Sequence, residues 1–450
     1  MKLSEIIKYT NGKVVKNIDK DIEVSSFVTD SRIIKEGDFY VPLIGEKFDG
    51  HDFINNALRD GAVGCISSKE VEVPEGKVFI LVEDTLKAFQ DIAKGYRENY
   101  IKKPLVAITG SVGKTTTKDM IASVLSEHYN TLKTEGNLNN FIGVPKTLLR
   151  YTNEDILVLE MGMNHFKEMS ILSNIARPDF AVLTNIGQAH IGNLGSRENI
   201  LKAKMEIIEG MPDDGTIIIN NDDLYLKTIK GSVEQKIVTY GIKNKSDYMA
   251  YDIVLTDERT SFKIKENNEV YTVTINLPGE HFVLNSLAAW AVGRVNNVPP
   301  EKIVEGLKNF EMSKLRMDIK EVNGYKIIND TYNAGPESMN AILDTLSKLS
   351  GGRKIAVLAD MLELGEMSQK IHFEIGKHIS DLNIDYVFTY GNEAKNIAKG
   401  LIDSGKDAKI FEDQEKLIEE LKGFLQKDDV VLVKGSRAMQ MDKVVEEISK

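Results

Sequence analysis

The chain of 450 residues has one cysteine, Cys65, so it can form no internal disulfide and no cysteine-based metal site. That scarcity fits a reducing compartment, and a cytoplasmic location is expected. No apolar run is long enough to cross a bilayer. The opening Met1-Lys2-Leu3-Ser4-Glu5 lacks the apolar stretch of a secretory signal. Basic residues are not in excess: 57 Lys and Arg stand against 68 Asp and Glu, and the net charge of −11 argues against nucleic acid as the main partner. Small anionic ligands remain compatible, because they need only a local cluster of N–H groups and cations. Internal repeats and low-complexity stretches are also missing. What is present is a globular composition, 42% apolar and 28% charged, on a chain too long for one core. About three domains are expected.

The most informative stretch is Thr109-Gly110-Ser111-Val112-Gly113-Lys114-Thr115-Thr116. Leu105-Val106-Ala107-Ile108 before it reads as a buried strand. Met120, Ile121, Val124 and Leu125 after it recur at helical spacing. Strand, glycine loop and helix in that order suit a phosphate-binding loop. Glycines let backbone N–H groups turn inward, and the helix N-terminus adds partial positive charge. Lys114 suits phosphate oxygens, and the Thr115 hydroxyl suits Mg²⁺. Only two residues separate Gly110 and Gly113, fewer than in the common loop. A plain strand-to-helix turn is the competing reading.

Residues 1–103 form a first unit, with a boundary marked by Lys102-Lys103-Pro104. In it Asp30-Ser31-Arg32 reads as a polar turn, Gly37–Val41 as a strand and Gly45–His51 as a loop. Ser31-Arg32 suits either a phosphate contact or ordinary solvation. The second unit, 104–312, carries further strands whose C-terminal ends gather polar groups. Glu160 closes the strand Ile156–Leu159, where a metal-binding carboxylate is wanted; a helix cap is the competing reading, less favoured because Met161-Gly162 follows rather than a clean helix start. His190 follows the strand 180–185 in a glycine-containing loop, beside the same crevice. Lys204 lies at the edge of the apolar stripe of a helix over 198–209, either solvated or buried as a free amine. Period-two alternation over 236–278 predicts a small antiparallel patch, and an alanine-rich helix runs from Asn285 to Val295. The third unit, 313–450, alternates strands (326–330, 355–360, 386–390, 430–434) with helices (366–380, 414–426), as in a doubly wound parallel sheet. The expected fold class is therefore α/β with three domains: a small α/β N-terminal unit, a central phosphate-loop sheet and a C-terminal Rossmann-like unit.

One phosphate loop leaves kinase, motor, GTPase and ligase open. Two α/β units facing each other, with polar groups on both, suit the joining of two substrates. At this point the chain resembles the Mur ligase family over essentially its whole length. The resemblance rests on 109–115, Glu160-Met161-Gly162-Met163-Asn164, Thr184–His190 and Asp330-Thr331-Tyr332-Asn333-Ala334. Asn139–Pro145, Asp360-Met361-Leu362-Glu363-Leu364-Gly365 and Lys434-Gly435-Ser436-Arg437 are similar to the branch that adds D-alanyl-D-alanine to UDP-N-acetylmuramoyl-tripeptide. An Asp-Asn-Pro-Arg motif, expected in the tripeptide-forming branch, is absent. The resemblance implies an ATP-dependent amide ligase of peptidoglycan synthesis that works through an acyl phosphate, with ATP and Mg²⁺ as cofactors. A sister or folylpolyglutamate-type ligase, or a nucleotide-gated binding protein, is the alternative.

The same resemblance implies roles. Residues 109–116, with Asn285, Arg316, Asp330 and Asn333, would hold ATP. Thr115, Glu160 and His190 would bind Mg²⁺, and Lys204 would join them as a carbamate. Ser31, Arg32, Gly45, Asp49, Gly50, His51, Asn139, Asn140, Asn164, Lys434, Ser436 and Arg437 would face the substrates. A monomer acting on small molecules is expected. Phe282, Gly335 and Gly192 depart from the family pattern.

Overall fold

The computed structural model describes residues 1–17 and 20–450. It contains three sheets. The first joins β1 (Lys13–Lys16), β2 (Phe27–Val28), β3 (Phe39–Tyr40), β4 (Gly64–Ser67) and β5 (Val78–Leu81) in the order β1-β5-β4-β3-β2. The second has β6 (Leu105–Thr109), β7 (Thr131–Lys133), β8 (Ile156–Glu160), β9 (Phe180–Leu183), β10 (Thr216–Asn220), β11 (Lys236–Gly241), β12 (Tyr248–Leu255), β13 (Thr260–Glu266) and β14 (Glu269–Ile275). Their order is β14-β13-β12-β11-β10-β9-β6-β8-β7. The third has β15 (Asp318–Val322), β16 (Tyr325–Asp330), β17 (Lys354–Ala359), β18 (Tyr386–Tyr390), β19 (Lys409–Phe411) and β20 (Val430–Lys434), in the order β15-β16-β20-β17-β18-β19.

The central sheet is parallel from β7 to β12, and β12 to β14 form the antiparallel patch. Its inner strands are buried along their whole length because helices cover both faces, which is why their middles read as apolar runs. β6 lies between β9 and β8, so the chain leaves it toward both sides. Such a switch point opens a crevice at the strand's C-terminal end, where the phosphate loop sits.

Several elements differ from the sequence expectation. The strand at 180 stops at Leu183, because Thr184 and Asn185 turn to the phosphate loop. The helix expected over 198–209 is α-helical over Arg197–Met205 and tightens to a 3₁₀ turn at Glu206–Gly210. The helix expected from Asn285 begins at His281, and the strand expected over 37–41 keeps only Phe39–Tyr40. β15 and β19 are polar or short edge strands that apolar patterning did not reveal.

Arg97, on the helix Thr85–Asn99, ties the first unit to the second. Its guanidinium donates to the carbonyls of Ala176, Ile101, Lys103 and Arg177 and pairs with Asp179. The third unit meets the second through Asp257, whose carboxylate accepts the Ser350 N–H at 2.8 Å. No helix among the described residues is long and apolar enough to cross a membrane.

Candidate active site

Gly110 and Gly113 have φ of 152° and 83°, conformations that disfavour side chains. A Cβ on Gly110 would also lie 1.9 Å from Thr184 Oγ1. The loop is braced from the next strand: Thr184 Oγ1 donates to Val112 O at 2.7 Å, and Val112 N donates to Asn185 Oδ1 at 2.9 Å. Lys114 opens the helix Lys114–Ser126, and its ammonium arches back over the loop to Gly110 O at 2.8 Å and Ser111 O at 3.3 Å. Burial lowers its pKa, while Glu160 opposes the shift. Asn285 closes the far side, with Oδ1 accepting from Thr117 Oγ1 at 3.3 Å.

Glu160 ends β8 and is 2% exposed. Its Oε1 accepts from Asn139 Nδ2 at 2.8 Å, and its Oε2 is buried with no partner. It is therefore not a helix cap. Lys204 is 1% exposed, and no hydrogen bond or ion pair to its amine occurs among the described residues. Burial, with a smaller contribution from Lys114, pushes its pKa well below the ordinary lysine range. The solvated reading of Lys204 is thus excluded. Nearby Glu206 takes both carboxylate oxygens to the Lys167 N–H at 2.9 Å, fixing the start of the helix Glu168–Ala176 against the segment that follows Lys204.

Arg316 comes from the linker between the second and third sheets and donates to Thr115 Oγ1 at 3.0 Å. Its guanidinium stacks on Tyr332, 3.9 Å from the ring centre. Leu315 and Met317 on either side have φ of 63° and 46°. That strained turn is pinned by the third sheet: Tyr332 N donates to Leu315 O, and Met317 N to Asp330 Oδ1 at 3.1 Å. Asp330 also pairs with Lys434, which is 2% exposed and donates to Asn333 O at 2.9 Å. Lys434 therefore faces the linker support rather than an open cleft, and Asn333 Oδ1 is engaged by the Ala334 N–H. Ser436 Oγ accepts from Leu362 N at 2.9 Å, and Arg437 is an exposed partner of Asp442.

His190 begins a short helix at φ 63°. Its Nδ1 lies 2.7 Å from Glu363 Oε2, on the third unit. Two residues earlier, Gln188 N donates at 2.7 Å to Glu337 Oε1, also from the third unit. The sequence reading assigned no role to Glu337, Glu363 or Tyr332. Glu363 stood inside the quoted Asp360–Gly365 stretch, which is the signal that marked it.

The N-terminal candidates do not converge on this crevice. Asp49 binds Lys69 and the His51 ring, and these hold its carboxyl well below the usual range. His51 is buried and accepts Ser68 N at 3.1 Å, so Asp49 and His51 build the loop. Gly50 packs against Leu43 and Gly45 against Phe48. Asp30 grips the Arg32 guanidinium and lies held at about 2 by it; Lys146 from the second unit adds to this. Ser31 and Arg32 open a 3₁₀ turn, and Asn140 Oδ1 accepts from Gly143 N at 3.0 Å where the helix Gly143–Leu148 begins. Asn164 N is engaged by Glu168.

A cavity of about 610 Å³ is lined by Gly279, His281, Leu284, Asp344 and Thr345. Burial lowers the His281 pKa to about 4. Among the described residues no three His, Cys, Asp or Glu side chains stand together as a ready metal cage. A buried carboxylate oxygen without a partner, a hydroxyl and a phosphate loop nonetheless fit Mg²⁺, which is usually held by one or two carboxylates plus substrate phosphates.

Comparison with known proteins agrees with this arrangement. The Mur ligase middle domain matches residues 108–293, the Mur ligase glutamate ligase domain 315–437, and the catalytic domain of the Mur ligase family 23–97. The UDP-N-acetylmuramoyl-tripeptide--D-alanyl-D-alanine ligase of Bacillus subtilis (strain 168) is 39% identical, covering 99% of this chain and 98% of its own. MurF from Acinetobacter baumannii superposes with a TM-score of 0.91 at 31% identity, covering 99% and 98% of the two chains. MurF ligase from Thermotoga maritima, solved in complex with ADP, gives a TM-score of 0.85 at 32% identity over 96% and 98%. The chain belongs to the Mur ligase family, on the branch that these three proteins represent.

Proposed function

We propose that this chain is an ATP-dependent ligase that joins D-alanyl-D-alanine to UDP-N-acetylmuramoyl-tripeptide, making the pentapeptide precursor of peptidoglycan. The observation that carries the reading is the meeting of Arg316 and Thr115 across two domains. A cation from the third unit stands at the mouth of a phosphate loop in the second, as a two-substrate phosphoryl transfer requires.

The terminal carboxylate of the tripeptide attacks the γ-phosphorus, the bond to the β,γ-bridging oxygen breaks, and ADP carries that oxygen away. The dipeptide amine then attacks the acyl carbon, inorganic phosphate leaves, and the nitrogen gives up a proton. Lys114 and Arg316 face the phosphates and offset their charge. Asn285 and the cavity lined by His281, Leu284 and Thr345 take the nucleoside. Tyr332 and Asp330 hold Arg316 in place. Bound Mg²⁺ supplies further neutralisation of phosphate charge, and Thr115, Glu160 and His190 are the residues that would hold it.

Lys204 supplies the missing anionic ligand as a carbamate. Its neutral amine adds to CO₂, a nitrogen–carbon bond forms and one proton is released. A buried amine with no acceptor supports this, because an ammonium left there would be desolvated and unpaired. Arg32, which is exposed, and Ser31, which is half-buried, are the N-terminal contacts for the nucleotide-sugar. Asn139, through Glu160, belongs to the metal side. All these residues lie on one chain, so a monomer suffices. The units take the bounds 1–103, 104–312 and 313–450, and the work is done in the cytoplasm.

The test is phosphate release with UDP-muramoyl-tripeptide, with and without D-alanyl-D-alanine. Release that requires both substrates is expected. ATP-driven release that ignores the dipeptide would overturn the reading.

A further inference from the structure

The third unit reaches the His190 loop through one feature that phosphate binding does not explain. Residues 360–365 form a finger whose base is fixed at three points. The Asp360 carboxylate accepts from the N–H groups of Asn392, Glu393 and Ala394. Met361 N donates to the buried His372 at 2.9 Å, and Leu362 N to Ser436 Oγ at 2.9 Å. Glu363 at the tip has a φ of 65°, and its carboxylate reaches out of its own domain to His190. The tip touches the His190 loop backbone to backbone. A Cβ on Gly192 would lie 2.7 Å from Gly365 N and 2.9 Å from Glu363 O, and one on Gly365 would lie 2.9 Å from Gly192 Cα. Both glycines are needed for so close an approach, and Gly192, unexplained by the sequence alone, acquires a reason.

That approach brings Glu363 Oε2 to 2.7 Å from His190 Nδ1. Nδ1 has no well-aligned hydrogen-bond partner, so the contact is a close polar approach that falls short of a hydrogen bond. The His190 side chain is 20% exposed and that of Glu363 57%. Even a full ion pair at such exposure adds only about 0–1 kcal/mol to folding, so stability is a poor reason for the contact. Orientation is a better one. A histidine that ligates a metal through one nitrogen usually donates its other N–H to a carboxylate, which fixes tautomer and ring direction.

We propose that Glu363 is a positioning residue for His190: its carboxylate holds the Nδ1–H tautomer and turns an unprotonated Nε2 to the metal site, so that the site is complete only when the third domain is docked. The inference rests on the reading of His190 as a metal ligand. It gives the third domain a part in the metal site besides Arg316. Glu337, on the N–H of Gln188, holds the same loop from its other end.

The experiment measures Mn²⁺ binding to the full chain with ADP by electron paramagnetic resonance, and the His190 tautomer by nitrogen-15 imidazole resonances. His190→Gln assigns the ring signals. In Glu363→Gln the amide would offer a donor to Nδ1, so the ring should change to its Nε2–H form and Mn²⁺ should bind about 10–100-fold more weakly. Glu363→Asp should keep the Nδ1–H form in part. Unfolding midpoints of both variants should stay near the parent value. An unchanged tautomer together with unchanged Mn²⁺ affinity in Glu363→Gln would overturn the proposal while leaving His190 a ligand. Unchanged Mn²⁺ affinity in His190→Gln would overturn the ligand reading, and the proposal with it.

Discussion

Replacing Lys204 by methionine should separate stability from activity. The residue is 1% exposed and its amine meets no acceptor among the described residues, so the folded protein carries a nearly buried polar group without a protein partner. Such a group costs roughly 1–3 kcal/mol. Methionine has a similar reach and no polar atom, so Lys204→Met should gain part of that, about 1 kcal/mol, provided the thioether packs without a void. Turnover should fall by about 10²–10³, the usual loss when one group facing developing charge is removed. Urea unfolding without ligands reads the first quantity, and phosphate release with both substrates reads the second. Carbon-13-labelled CO₂ adds a direct reading: a carbamate signal should appear in the parent protein and vanish in the variant. Lys204→Ala should be inactive too, but partly restored by a short carboxylic acid filling the vacated space. A variant that keeps full activity, or a parent with no carbamate signal under turnover conditions, would refute the reasoning. A less stable but active Lys204→Met would point to plain packing.

Lys114→Ala should abolish turnover, by about 10²–10³ or more, in a protein that circular dichroism finds folded; near-normal phosphate release would remove the phosphate-loop assignment. Arg97→Ala should destabilise the joint between the first and second units by about 3 kcal/mol, since it strips the partner from four carbonyls; proteolysis near residue 103 should then quicken, and an unchanged cleavage rate would contradict the staple. The lowered pKa of His281, about 4 against an ordinary 6.5, means that the unfolded chain binds a proton first as pH falls. Stability is therefore lost between pH 6.5 and 4, and because the ring keeps some contact with the cavity, about 1 kcal/mol is expected at pH 5. His281→Phe should remove that part of the acid sensitivity, and identical pH profiles of the unfolding free energy for both proteins would refute it.

The parallel strands were legible because a strand covered on both faces carries an apolar run, and β6, β8, β10 and β20 each have three or four consecutive apolar residues, with polar groups only at their ends. β15 escaped because only one neighbour pairs with it and its residues, Asp318-Ile319-Lys320-Glu321-Val322, look like a surface loop. A local signal was nevertheless present. Asn323 and Gly324, with φ of 53° and 84°, make the two-residue hairpin that joins β15 to β16, and Asn-Gly is the strongest short-range mark of such a turn. The helix at 198–209 was overextended because its apolar spacing continues through Ile207 and Ile208. What ends it is Glu206 turning to the Lys167 N–H, a partner 39 residues away.

The site divides along the same line. Phosphate loop, Glu160 and His190 were readable because each follows its own strand, and a strand's C-terminal end is a place that local pattern reveals. Arg316, Glu337 and Glu363 carry no such mark. Each acts on a group in another domain, and what makes the contact possible is shape on the receiving side. A Cβ on Gly187 would lie 2.4 Å from the Glu337 carboxyl carbon, and Gly192 leaves room for Gly365 in the same way. Both glycines therefore stand in the His190 loop as clearances for the third domain, and their value depends on the docked arrangement. If that is their role, alanine at either position should weaken docking without disturbing the central sheet. Gly187→Ala and Gly192→Ala should each raise the radius of gyration measured by small-angle scattering with nucleotide bound, and each should slow turnover. The phosphate loop, braced by Thr184 and Asn185 from its own domain, should still bind ADP to within a fewfold of the parent affinity. Loss of ADP binding together with loss of the central fold would instead mean that the glycines serve the loop itself.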